Sequence, residues 1–335
     1  MGSVEYGAKQ AIENCLRVKE GEKLVIITDR ETLEIGSALK KAAETRAKTT
    51  EFYILEDFVK EQNAVNCPEA ILDAVKKSDV SIYCASMKWH RWNSTSIAND
   101  ILKVVLKKEG ARHARMPGIT KEIMETGMCA DYSEVQRISR EVYDIVKYAE
   151  EIRVTTEKGT DVIAKFSSKS NWTLRDGSFR EKIENLPSGE LTALPTHVEG
   201  YAVIDSFLGS HFNKKYKDLG DTPVELEIRK GRAVEGSVKC KNSRLEKEFS
   251  DYIFKTDRNS NRIGFFGLGT NIGIDKVIGN LLQDEKLPGP AIIFGTPSYL
   301  PIHKWKSKIV CDSRIRNATI TADRKKIMEN GKFLV

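Results

Sequence analysis

Asn185-Leu-Pro-Ser-Gly-Glu190 is the first stretch whose residues could do chemistry. A Pro and a Gly two residues apart impose a turn. The turn hands one carboxylate, Glu190, to the mouth of the apolar run at 191–194. A carboxylate in that place can ligate a metal, act as a base or bind an amine. The same pattern also occurs as a plain turn before a strand. Gly267-Leu-Gly269-Thr-Asn-Ile-Gly273 is a second candidate, placed between an expected strand and an expected helix. Its spacing is GxGxxxG and the Lys-Ser/Thr of a phosphate loop is missing. It reads as a tight turn that lets backbone approach something in a cleft. The third is Met87-Lys-Trp-His-Arg-Trp92, with two aromatics, a His and two cations in six residues. It could stack a planar or anionic group, or pack its tryptophans against another domain or a partner subunit.

The elements that must position these residues follow two patterns. Strands at 23–28, 51–55, 80–85 and 112–116 alternate with helices at 6–17, 31–46, 68–77 and 94–108. A connecting helix at 131–151 comes next, opened by Asp131 and Glu134 in capping-box spacing. Continuous apolar runs such as Lys23-Leu-Val-Ile-Ile-Thr28 mark strands buried on both faces. The alternation predicts a parallel sheet with right-handed crossovers. Ligands of such sheets bind beyond the strand ends, here Asp29-Arg30, Glu56-Asp57 and the 87–92 cluster. After the helix the pattern turns to hairpins: 152–156 with 162–166, 224–228 with 233–238, and 318–321 with 327–334 around Asn330-Gly331. One more helix is expected at about 275–283. The fold expected is α/β. A doubly wound, Rossmann-like parallel-sheet domain spans 1–148 with the connecting helix, and an α+β domain rich in antiparallel strands spans 149–335.

Composition narrows the class. The chain has 335 residues, 40% apolar and 30% charged, as in an ordinary globular protein with ample core. No apolar run approaches the roughly 20 residues of a membrane span. Residues 1–10 carry Glu5 and Lys9 and no apolar stretch, so no secretion signal is expected. Cys15, Cys67, Cys84, Cys129, Cys240 and Cys311 show no CxxC spacing. That argues against a zinc finger or a disulfide framework and fits a reducing cytoplasm. The net charge of +6 is spread out, so neither nucleic acid nor membrane is expected as a partner.

Five segments together resemble the aminopeptidase T / aminopeptidase S family of metallo-aminopeptidases over nearly the whole chain. They are His113-Ala-Arg-Met-Pro-Gly-Ile-Thr120, Asn185-Leu-Pro-Ser-Gly-Glu190, Gly269-Thr-Asn271, Ile278-Gly-Asn-Leu-Leu-Gln283 and Trp305-Lys-Ser-Lys308. The resemblance implies an α/β first domain, a second domain housing two divalent metal ions, a homodimer with an enclosed cavity, and removal of N-terminal residues from peptides. It also implies a ligand set of two Glu, two His and one Asp. Carried over position by position, the first Glu falls on Glu190 and the Asp on Asp312. The second Glu falls on Phe265, the first His on Ala291 and the second His on Val310. Phe, Ala and Val have no electron pair to give a metal, and a dinuclear site needs several anionic or imidazole ligands. Cys311 would point away from Asp312 on a strand, so it is a poor substitute.

The expectation is therefore an aminopeptidase-family homologue without its dinuclear metal site and with no cofactor. It would act on an amino-acid- or peptide-like molecule by metal-independent acid–base or acyl-transfer chemistry. Glu190, Asp312, Tyr299 and His303 are the catalytic candidates, with Ser298 beside them. Phe265, Ala291, Val310, Gly269, Thr270 and Asn271 are the substrate-binding candidates. Facing carboxylates without a cation repel, which raises one pKa. A cation could also come from within, since Lys304, Lys306 and Lys308 alternate; the same pattern would serve as a basic edge that blocks strand addition. Two alternatives stand beside this one: an inactive homologue that binds a ligand or partner, and a residual metal-dependent aminopeptidase. An iron-dependent, ring-cleaving dioxygenase of pyridine catabolism shares the same fold, so the scaffold does change chemistry; that enzyme also relies on His and Asp in this region, so it fits these residues no better.

Overall fold

The computed structural model describes residues 2–59, 66–89, 96–209, 211–296 and 305–335. The chain divides into two compact units, Met1–Gln136 with Arg175–Ser188, and Arg137–Leu174 with Gly189–Val335. It is α/β, with a doubly wound parallel sheet in the first unit and antiparallel sheets in the second. Among the described residues no helix is long and apolar enough to cross a membrane.

The first unit is built on a five-stranded sheet in the order Thr49–Ile54, Lys23–Thr28, Val80–Tyr83, Arg112–Arg115, Ile183–Asn185. Every neighbouring pair is parallel. Residues 24–28 are all buried, as their unbroken apolar run requires. The helices Leu33–Glu44, Glu69–Lys77 and Ile97–Lys107 supply the crossovers. The strand order reverses beside Lys23–Thr28. There the buried Asp29 carboxylate accepts from Thr32 N at 2.9 Å and Ser86 N at 3.2 Å. Lys88 Nζ lies 3.0 Å from Glu56, and Arg30 lies 2.8 Å from Asp57. These strand-end groups are thus paired with one another. Trp89 is buried in the unit's core; His90, Arg91 and Trp92 lie outside the described residues.

Two sheets make the second unit. The larger runs Arg232–Ala233, Val224–Arg229, His197–Ile204, Asp161–Lys165, Glu151–Thr155, Thr319–Ala322, Lys325–Glu329, Lys332–Phe333. The smaller runs Val310–Arg314, Gly289–Gly295, Ile263–Gly269, Glu190–Ala193, Thr173–Arg175. Along the smaller sheet side chains alternate between faces. Leu191, Phe266, Leu268, Ile292, Phe294 and Cys311 join one core with Val154, Val162 and Leu226 of the larger sheet. The amphipathic helix Ser243–Lys255 adds Leu245, Phe249 and Ile253 to that core.

Four elements differ from expectation. The helix expected at 275–283 is only Leu281–Asp284. Gly279 takes φ +80°, and the Asp284 carboxylate accepts from Ile278 N at 3.0 Å and Gly279 N at 2.9 Å. That side-chain bonding holds a turn where helix would need backbone acceptors. The strand expected at 233–238 stops at Ala233, because Gly236 at φ +81° and the Ser237 hydroxyl on Val234 O turn the chain away. The C-terminal segment makes two turns rather than one. Asp323 at φ +50° takes the first, and Asn330-Gly331 takes the second. The fifth parallel strand, Ile183–Asn185, is three residues long and arrives from beyond the connecting helix Tyr132–Val146, so periodicity could not show it.

That short strand buries Glu184. One carboxylate oxygen accepts from Gly177 N at 2.8 Å and Ser188 Oγ at 3.3 Å, and the other has no partner among the described residues. Burial pushes its pKa up to about 7 from 4.5, against the opposing pull of the Gly177 N–H. Between those two values the folded state holds a proton that the unfolded state has released. Stability therefore falls as pH rises from about 4.5 to about 7, by ~3 kcal/mol in all. Glu184→Gln should flatten that slope in urea unfolding measured across this range; an unchanged slope would show that Glu184 is ionised in the fold.

Candidate functional site

The face of the smaller sheet turned away from its core carries the candidate site. Strand register places its residues. Glu190 pairs with Gly269, and Gly269 with Gly289. Gly267 pairs with Ala291, and Ala291 with Arg314. Phe265 pairs with Ile293, and Ile293 with Asp312; Val310 pairs with Gly295. Paired residues share a face and alternate residues along a strand share it too. Glu190, Phe265, Ala291, Val310 and Asp312 therefore all lie on one face, the five positions carried over from the resemblance. Cys311 points into the core, opposite Asp312.

Glu190 stands where it does because of the turn before it. Gly189 has φ +114°, and a Cβ there would meet Asn271 N at 2.8 Å. Thr270 N donates to Gly189 O at 2.9 Å, which ties that turn to the end of Ile263–Gly269. Thr270 and Asn271 are buried. The Thr270 hydroxyl lies 2.6 Å from Ser139 Oγ, and Asn271 N donates to Lys286 O at 3.1 Å. These two residues hold the loop that carries Lys286. Tyr299 and His303, with Ser298 and Lys304, lie outside the described residues.

Two residues that sequence reading missed dominate the face. Arg314 Nη2 donates to Glu190 Oε1 at 3.2 Å and to Asp312 Oδ2 at 3.4 Å. Lys286 Nζ donates to Glu190 Oε2 at 3.0 Å and also to Glu285. The internal cations are thus Lys286 and Arg314, while Lys306 and Lys308 are exposed. A signal for Arg314 was present, since Asp312 and Arg314 are two apart on a strand and so share a face. For Lys286 there was none, because Asp-Glu-Lys at 284–286 reads as an ordinary charged loop.

Arg314 and Glu190 are on strands three places apart, roughly 14 Å at the usual spacing. The guanidinium passes Gly269 on its way to Glu190. A Cβ on Gly269 would meet Leu287 O at 2.0 Å and Arg314 Nη1 at 2.7 Å. Both the Leu287 carbonyl and the arginine therefore require a glycine at that position.

Burial sets the electrostatics. Side-chain exposure is 0% for Arg314, 2% for Lys286, 9% for Asp312, 12% for Glu190 and 20% for Glu285. Burial raises the Asp312 pKa, with Arg314 pulling the other way and Glu190 adding to the rise. Glu285 is raised by burial against the pull of Lys286. Burial works to lower Lys286, yet Glu190 and Glu285 outweigh it and hold the ammonium charged. The cations lie behind, and the carboxylate edges are what a ligand could reach.

These residues do not fit a metal. Phe265, Ala291 and Val310 offer no donor, and a guanidinium nitrogen already bridges Glu190 and Asp312. Among the described residues no cluster of three or more His, Cys, Asp or Glu could hold an ion.

Comparison with known proteins adds three findings. The NicX family model, described as 2,5-dihydroxypyridine 5,6-dioxygenase, matches residues 7–273. The structure of 2,5-dihydroxypyridine dioxygenase from Pseudomonas putida KT2440 aligns with TM-score 0.69 at 17% identity, over 99% of this chain and 97% of that one. Wild-type AmpT from Thermus thermophilus aligns with TM-score 0.67 at 15% identity, over 99% of each chain. At such identities both likenesses show the fold alone. No curated protein matches the sequence significantly.

These findings correct three expectations. The aminopeptidase likeness holds for the fold but not for the family. The expected metal-independent acid–base or acyl-transfer homologue, and with it the hydrolase class defined by a degenerate metal site, is overturned, because the family model that matches is one of dioxygenases. The expected lack of a cofactor is overturned as well, because dioxygenases of this family are typically iron-dependent.

Two substitutions test the geometry. Gly269→Ala should cost about 1–3 kcal/mol through overpacking, and Arg314→Met about 3–5 kcal/mol by leaving buried carboxylates unpaired. Adding Asp312→Asn to Arg314→Met should restore part of that loss in urea unfolding. Strict additivity of the two costs would mean that the bridge contributes nothing.

Proposed function

The chain belongs to the NicX family, and on that premise we propose that it is an oxygenase acting on a small, planar, hydroxylated aromatic or N-heteroaromatic ring. The observation that carries the reading is the face itself: carboxylate edges of Glu190, Asp312 and Glu285 set beside Phe265 and Val310. A flat ring complements the Phe265 side chain, and its O–H or N–H groups complement the carboxylates. Lys286 and Arg314 pull these carboxyl groups toward the charged, accepting form, against the burial that raises Asp312 and Glu285. In this reading the residues bind and orient the ring, and dioxygen is consumed as the ring opens.

The ring class follows the family description, whose named substrate is 2,5-dihydroxypyridine. A cytoplasmic location is part of the proposal, supported by six free thiols. A homodimer is proposed on the aminopeptidase-like fold, and light scattering at micromolar concentration checks it.

The test is dioxygen uptake with 2,5-dihydroxypyridine and related dihydroxylated rings, with ferrous iron supplied. Uptake should match ring loss one to one. Phe265→Ala should raise KM by up to about tenfold, the equivalent of about 1.4 kcal/mol of ring contact. Uptake no faster than without protein, for every ring tried with folded chain, would overturn the proposal.

A further inference from the structure

The family's chemistry implies a metal, and the charged face described above does not fit one. That disagreement has a specific form. Arg314 Nη2 stands 3.2 Å from Glu190 Oε1 and 3.4 Å from Asp312 Oδ2, and Arg314 Nε is 3.2 Å from Asp312 Oδ1. One cationic group thus touches both carboxylates, as a bridging cation does. Lys286 Nζ takes the remaining oxygen of Glu190 at 3.0 Å.

We infer that Arg314 and Lys286 are built-in counter-ions that occupy the place of a divalent cation between Glu190 and Asp312, and that their removal opens a divalent-ion site there. Charge count supports this. Glu190, Asp312 and Glu285 are three carboxyl groups gathered around two cations, Lys286 and Arg314. A dication added to that cluster would press against two buried cations at short range, where repulsion is strong. Without the two cations, Glu190 and Asp312, which one Arg314 nitrogen now touches together, would be left as two facing carboxylates, the oxygen ligands that hard divalent ions take.

Packing supports it as well. A Cβ on Gly269 would meet Leu287 O at 2.0 Å and Arg314 Nη1 at 2.7 Å, and Arg314 Nη1 lies 3.4 Å from Gly289 O. The guanidinium is packed against backbone at both positions. Phe265, Ala291 and Val310 line the same face with no donor, so among the described residues these positions add no ligand to Glu190 and Asp312. A metal that this chain's reaction uses is then held by other residues. The inference does not rest on the proposed substrate and is tested without turnover.

The experiment measures manganese(II) binding by the loss of its free-ion electron paramagnetic resonance signal, on the full chain. Wild type, Asp312→Asn, Arg314→Met with Lys286→Met, and that double variant with Asp312→Asn are compared, with circular dichroism to report folding. The double variant should bind manganese at least tenfold more tightly than wild type, and Asp312→Asn should remove the gain. A folded double variant that gains no affinity overturns the inference. So does wild-type binding that is lost in Asp312→Asn, and this arm decides the matter alone if the double variant does not fold. Wild-type binding that is absent, or is unchanged by Asp312→Asn, supports it.

Discussion

One guanidinium organises the charged face of the second unit. Arg314 reaches from an outer strand of the sheet to Glu190, three strands away, and holds Asp312 on the way. Gly269 leaves the guanidinium room beside the Leu287 carbonyl, and Gly189 turns the chain so that Glu190 meets the far end. The loop at 285–287 is tied down by Asn271 and delivers Lys286 to the other oxygen of Glu190. Buried carboxylates next to one another would be costly alone; with two cations between them the cluster is nearly neutral.

The first unit shows the same economy of polar groups at its strand ends. Asp29, at the reversal of strand order, has its carboxylate bonded to Thr32 and Ser86. In an open parallel sheet this is where a ligand crevice forms, and here the described groups bond to each other.

Much of this fold could be read from the sequence, for physical reasons that differ by element. Lys23–Thr28 and Val80–Tyr83 were legible because a strand buried on both faces needs an unbroken apolar run. Tyr132–Val146 was legible through its apolar spacing and its start. Ile183–Asn185 was not, because three residues carry no period and its partner is distant in sequence. The short helix Leu281–Asp284 was overestimated because Asp284 turns its side chain onto backbone that a helix would have used. At the face, Glu190 and Asp312 could be read as carboxylates at neighbouring positions from the resemblance. Lys286 was invisible, since only tertiary contacts distinguish a buried lysine from a solvated one. The replacements at 265, 291 and 310 showed what the face lacks. They could not show that arginine and lysine had filled it, nor that the family is one of dioxygenases rather than peptidases.

The central claim is that Arg314, and not a metal, bridges Glu190 and Asp312. A crystal of the wild-type chain soaked in manganese(II) and measured for anomalous scattering tests it most directly. The account predicts guanidinium density between the two carboxylates and no anomalous peak within bonding distance of either. A strong peak ligated by Glu190 and Asp312, with Arg314 swung aside, would contradict it.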